Sequence, residues 1–146
     1  MSDTTTEAII YQLLTEDQGV GDIVGDRVYP HHAADTDVLP FIVYQRISTA
    51  RENLMTASDG LVTVRVQLDL YDTDHERSQE LAEAVRLLLG CHRGNVGQAH
   101  VKRTWIDTED EDYTTESDGS DDGEYRRIID VMVVHTETAT SIPSGS

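Results

Sequence analysis

Lysine is almost missing from this chain: Lys102 is the only one in 146 residues, against ten arginines. No basic stripe is present to neutralise phosphates, which argues against direct nucleic-acid binding. Cysteine is equally scarce. Cys91 stands alone, so an internal disulfide framework is excluded. No apolar run approaches the roughly 20 residues that a membrane-crossing helix needs. The start, Met1-Ser2-Asp3-Thr4-Thr5-Thr6-Glu7, lacks the positive end and apolar stretch of a signal peptide. These absences together lead to the expectation of a soluble protein made inside the cell, with no membrane partner.

What the chain has in excess is carboxylate. It carries 17 aspartates and 11 glutamates, for a formal net charge of −17. Such a surface repels itself in dilute buffer. In about 1 M salt the Debye length is only ~3 Å, and that repulsion is screened. Short carboxylates with almost no lysine suit a salt-adapted protein, from a halophilic archaeon or its virus. The alternative is an ordinary protein with one acidic loop. Without the ten acids of residues 107–124 the chain would still carry −7, which favours salt adaptation.

Residues 61–89 change hydrophobic period once. Val62, Val64, Val66, Leu68 and Leu70 alternate with Thr63, Arg65, Gln67 and Asp69, which predicts a half-buried strand. Thr73-Asp74-His75-Glu76 reads as a capping box, and Leu81, Ala84, Val85, Leu88 and Leu89 follow at helical spacing. Gly90 sits where a left-handed helix cap is expected. A first helix is predicted over 4–15, opened by a second capping box, Thr4-Thr5-Thr6-Glu7. The segment 19–25 reads as a glycine turn with at most one helical turn at 22–24. Further strands are predicted at 27–30, 41–48, 99–106 and 125–136, with a long hairpin loop at 49–60. The last strand is apolar on both parities and belongs in the sheet interior. The fold class is α+β: a small, mostly antiparallel sheet of four to five strands, with two helices on one face. Residues 1–137 make one domain with an acidic loop at 107–124, and 138–146 are expected to form a flexible polar tail.

No constellation reads as an active site. Asp118, Ser120 and Asp122 imitate the first half of a calcium loop, but the twelfth position is Ile129 and no helix pair flanks them. They are weak metal candidates, and a solvated acidic loop is the better account. Gly19, Gly21 and Gly25 have the wrong spacing for a phosphate loop, and Asp22 would repel phosphate. Cys91, His92 and His100 lack zinc spacing, so Cys91 is expected to pack at a helix end. No serine sits in a nucleophile elbow. No cofactor and no enzymatic activity are expected.

The order of phrases carries a resemblance. A short helix leads to Gly25-Asp26-Arg27-Val28-Tyr29-Pro30, then to Leu39-Pro40-Phe41-Ile42-Val43-Tyr44-Gln45-Arg46-Ile47-Ser48. Val64-Arg65-Val66-Gln67-Leu68-Asp69-Leu70-Tyr71 then precedes an Ala/Glu/Leu-rich helix. Over about residues 7–136 this resembles the tail-completion, or tail-terminator, family of long-tailed viruses. The resemblance implies a structural protein of the virion's tail and neck, assembled in the host cytoplasm. It implies a self-assembled ring, typically a hexamer, that touches the tail tube protein and a head-side connector. Genomic DNA would pass through without specific binding. A connector or stopper of the same neck is the nearest alternative, and a calcium-dependent binding module a more distant one. In the ring reading, Thr63, Arg65, Gln67 and Asp69 form a candidate subunit or lumen surface.

Overall fold

The alternating stretch becomes the middle of a long strand. A computed structural model describes residues 5–31, 38–51, 59–114 and 124–138. Three helices, α1 (Thr6–Glu16), α2 (Gln18–Val24) and α3 (His75–Leu89), accompany six strands. These are β1 (Val28–Pro30), β2 (Phe41–Arg51), β3 (Asp59–Asp72), β4 (Gly94–Val96), β5 (Ala99–Thr114) and β6 (Glu124–Thr138). One sheet contains all six, in the order β1-β2-β3-β6-β5-β4. Its ladders are antiparallel except β1–β2, which is parallel.

The α+β class stands, while the expected four to five strands and two helices become six and three. β4 is the added strand. It is only three residues long, and Gly97, at φ 59°, makes its two-residue turn into β5. The added helix is α2, in the segment expected to be a turn. Asp17 Oδ2 accepts the Val20 N–H at 2.9 Å, and Gly25 closes the helix at φ 62°. Val20 and Val24 bury completely, so packing makes a helix where glycine content predicts none.

The pairing of β3 with β6 spans 14 rungs, from Asp59–Thr138 to Asp72–Tyr125. As expected, β6 lies in the sheet interior, between β3 and β5. Directly paired residues share a face. Val62, Val64, Val66, Leu68 and Leu70 of β3, with Ile129, Val131 and Val133 of β6, therefore point to one side, and all are buried. The helices cover this side with Ile9, Ile10, Leu14, Leu81, Val85 and Leu89. β2 changes parity at a bulge. Arg46 pairs with Val66 but Ser48 pairs with Arg65, so Ile47 is the extra residue.

Both helix starts differ by one residue from the predicted capping boxes. Thr5, not Thr4, caps α1 through its hydroxyl, and Asp74, not Thr73, caps α3 by accepting the Arg77 N–H at 3.1 Å. The strand leaving β3 carries Asp72, whose carboxylate takes Arg77 and the Asp74 N–H, and this fixes which residue can cap. Gly90 is right-handed at φ −68°, not left-handed. A Cβ there would lie 2.6 Å from the Arg86 carbonyl oxygen, so space rather than φ favours glycine. At the far end, His135 Nδ1 lies 2.7 Å from the Thr136 carbonyl, which can only accept. In that tautomer His135 Nε2 accepts the Thr6 hydroxyl at 2.8 Å, and this buried bond ties α1 to β6.

Leu68→Ala, at the centre of the covered face, should lower stability by about 2–5 kcal/mol in urea titration. Thr63→Ala, on the opposite face of the same strand, should cost less than about 1 kcal/mol.

Candidate functional site

The helices leave one face of the sheet open, and the predicted stripe lies on it. Thr63, Arg65, Gln67 and Asp69 run down the middle strand of that face, between β2 and β6. The stripe is not simply wetted. Arg65 Nη1 lies 2.9 Å from Asp107 and 3.2 Å from Asp130. The Asp107 hydrogen bond is the main reason that the guanidinium pKa is raised. Asp130 also accepts the Thr108 hydroxyl at 3.2 Å, while its other oxygen, Oδ1, is buried without a hydrogen-bond partner among the described residues. Asp69 is buried, and it accepts Gln67 Nε2 at 2.9 Å and Arg126 Nη2 at 2.8 Å. Thr63 sits between Ala50 and Val134.

Around this polar centre the open face is aromatic and aliphatic. Phe41 stacks between Tyr29 and Tyr71 at ring separations of 5.9 and 5.0 Å. Arg103 lies 4.3 Å over the Trp105 ring. Val43 is buried here without a helix above it, and Ile128, Met132 and Val134 are half-buried. Arg46 belongs to the other face, where Glu7 of α1 accepts two hydrogen bonds from it at 2.6 and 3.1 Å. Burial pushes the Glu7 carboxyl up, but the Arg46 hydrogen bonds and charge more than offset this and hold its pKa low. Arg27 is likewise engaged away from the stripe, on the Pro40 and Ile23 carbonyls.

The acidic loop expected from 107 is half strand. β5 continues to Thr114, and its alternation divides the acids between two faces. Glu109 and Glu111 turn toward the helices. Glu109 meets Arg86 at 2.7 Å, and Glu111 meets Arg127 at 3.1 Å and His75 at 3.7 Å. Arg127 is buried, and its Nε donates to the buried Ser78 hydroxyl at 3.1 Å. Asp110 and Asp112 are exposed on the open face. The sequence shows only a run of acids; their partners lie 16 to 42 residues away, so no local pattern announces them. Asp118, Ser120 and Asp122 lie outside the described residues. Among the described residues no group of three metal-ligating side chains converges. Cys91, expected to pack, is exposed; it borders an open groove of about 440 Å³ between α2 and α3, lined also by Leu87 and His92.

Such a surface can bind by shape, edge pairing and charge. Two ion pairs should separate by burial. Arg77→Ala strands the buried Asp72 carboxylate and should cost about 2–3 kcal/mol in chemical denaturation. Arg86→Ala loosens a pair that water already reaches and should cost under about 1 kcal/mol. The Glu7 link has a pH sign. A carboxyl with a depressed folded pKa stabilises above its unfolded value and loses that contribution as pH falls through the folded one. Glu7→Gln should therefore flatten the stability profile below about pH 4, by under about 1 kcal/mol, in acid titration followed by circular dichroism.

The comparisons agree with this architecture. The virion of a native gene transfer agent particle contains a chain of the same fold, with a TM-score of 0.68 and 14% identity. The alignment covers 89% of this chain and 94% of that one. Comparison with curated proteins gives no match. The family model described as tail completion protein gp17 matches residues 8–136, which takes in every helix and strand except the extreme ends of α1 and β6. The chain belongs to that family: it is a tail-completion protein, a structural component of the virion's tail region.

Proposed function

We propose that the protein is a tail terminator, a closed ring of identical subunits, six in the family pattern, that caps the tail tube. Its other side joins the head-side connector. The observation that carries this reading is the family match over residues 8–136. The architecture supports it. A head-to-tail ring needs two unlike surfaces on each subunit, and a sheet with one helix-covered face and two different edges supplies them.

The open face is the wall past which the genome slides. Its two arginines at the centre, Arg65 and Arg126, are each held by carboxylates, and Arg103 lies on Trp105. Cations so engaged are poor grips for phosphate, and the exposed Asp110 and Asp112 repel it. DNA therefore passes without being bound.

Six copies carry a formal charge of −102, so ring closure needs salt. This demand fits a halophilic host. Light scattering and negative-stain imaging should give closed rings in molar potassium chloride and smaller species at low salt, with thermal stability rising with salt. A monomer at every salt concentration, both alone and with isolated tail tubes, overturns the ring reading. Rings that bind the connector but not the end of a tail tube would make it a connector or stopper instead.

A further inference from the structure

We infer that neighbouring copies join edge to edge, the free edge of β2 adding to the free edge of β5 so that one sheet runs from subunit to subunit. This inference rests on the ring reading and names the surfaces that close it. Each edge of the sheet is covered at one end by a short strand, and each also carries a bulge, between Arg46 and Ser48 in β2 and between Ile106 and Thr108 in β5. β1 lies beside residues 42–44 of β2, and β4 lies beside residues 99–101 of β5. Among the described residues no strand flanks 45–51 of β2 or 102–114 of β5 on the outer side. Edges of this length are templates for pairing.

Strand polarity selects the partner. β2 is antiparallel to β3, β3 to β6, and β6 to β5, so β2 and β5 run in opposite directions. A second copy in the same orientation therefore brings its β2 antiparallel to β5, the arrangement of every other long ladder here. The backbone of β2 is set for it. Ile42 donates its N–H outward to the Arg27 carbonyl, and Tyr44 accepts outward from the His31 N–H. By alternation, Arg46 also directs its backbone groups to the free side.

Sterics then choose the stretch. In such a pairing β5 occupies the lane that the next copy's β1 already fills beside residues 42–44. β5 must stop short of the last residue of β1, Pro30, beside Tyr44, which sets its own last residues, 108–114, against residues 45–51. β1 is itself a poor substitute, being three residues long and ending in Pro30, which lacks an N–H. The offset along the strands is the shear that any closed sheet requires.

The two stretches are complementary in charge and in apolar surface. Residues 45–51 contain no acid, and their Arg46 is already held by Glu7; in residues 108–114, which contain no base, Glu109 and Glu111 are held by Arg86 and Arg127, and Asp110 and Asp112 are the exposed carboxylates of the open face. Each stretch also exposes one large apolar side chain, Ile47 at 45% and Tyr113 at 46%. The antiparallel offset brings these two close together.

The test places cysteines at Ser48 and Asp110, both on the open face, in a Cys91→Ser background, in molar potassium chloride. Oxidation should give a ladder of covalent oligomers up to the ring number on a denaturing gel, whereas Ser48→Cys or Asp110→Cys alone should stop at dimers. A ring seen by light scattering that gives no ladder, with either this pair or Ser48→Cys with Asp112→Cys, overturns the strand pairing and leaves the ring standing. A monomer under every condition overturns the ring reading and this inference with it. Ile47→Asp sets a carboxylate near the exposed Asp110 and Asp112. It should abolish the ring while the subunit's circular dichroism stays native, and Ile47→Leu should keep the ring. A native ring from Ile47→Asp overturns the proposal.

Discussion

Everything in this molecule hangs on the ladder between β3 and β6. Fourteen rungs join strands separated in sequence by α3, β4 and β5. That ladder sets the register of both faces at once, because a slip of one residue would exchange Leu68 with Gln67 and Ile129 with Asp130. The cost of a slip is large on each face. It would expose a row of fully buried aliphatic side chains, and it would press Arg65, Asp69 and Asp130 against the helices. A long non-local ladder is entropically slow to form, but it leaves one answer once formed. β2 and β5 are then positioned by their pairing to these two strands, and α3 by its landing on them.

How much of this could be read from residues depends on where the information lay. β3 and α3 were legible because each carries its own period, 2 and then 3.6, with no ambiguity between Val62 and Leu89. The interior place of β6 was legible because Ile128, Ile129, Val131, Val133 and Val134 are apolar on both parities. α2 was not, since its glycines lower helix propensity and only the burial of Val20 and Val24 overrules them. The extension of β5 was hidden for a different reason. Asp107 to Asp112 has no apolar alternation, and strand formation there rests on cross-strand neighbours and on cations from α3, β3 and β6. The stripe of Thr63, Arg65, Gln67 and Asp69 was correctly placed on one face, but its ion-pair partners belong to other strands and could be found only in space.

Acidity plays two roles in this chain, and position separates them. Asp69, Asp72 and Glu111 are held by arginines and behave as parts of the fold. Asp110 and Asp112 face outward and add to the repulsion that salt must screen. With lysine nearly absent, arginine supplies the bidentate pairs at Asp72 and Glu7, a geometry that an ammonium cannot reproduce. An acidic surface and a paired interior are thus built from the same residue types.

The division of the β5 acids between faces restricts how this strand can change length over evolution. Inserting one residue before Glu109 would send Glu109 and Glu111 to the open face and leave the buried Arg127 facing the side chains of the next parity. Two residues would restore the faces but displace every rung. The constraint runs to the Tyr113–Tyr125 rung, where Tyr125 also packs against His75 of α3. Relatives should therefore hold the distance from Trp105 to Tyr113 constant. A virus that refits this subunit to a new neighbour must then do so without altering that span.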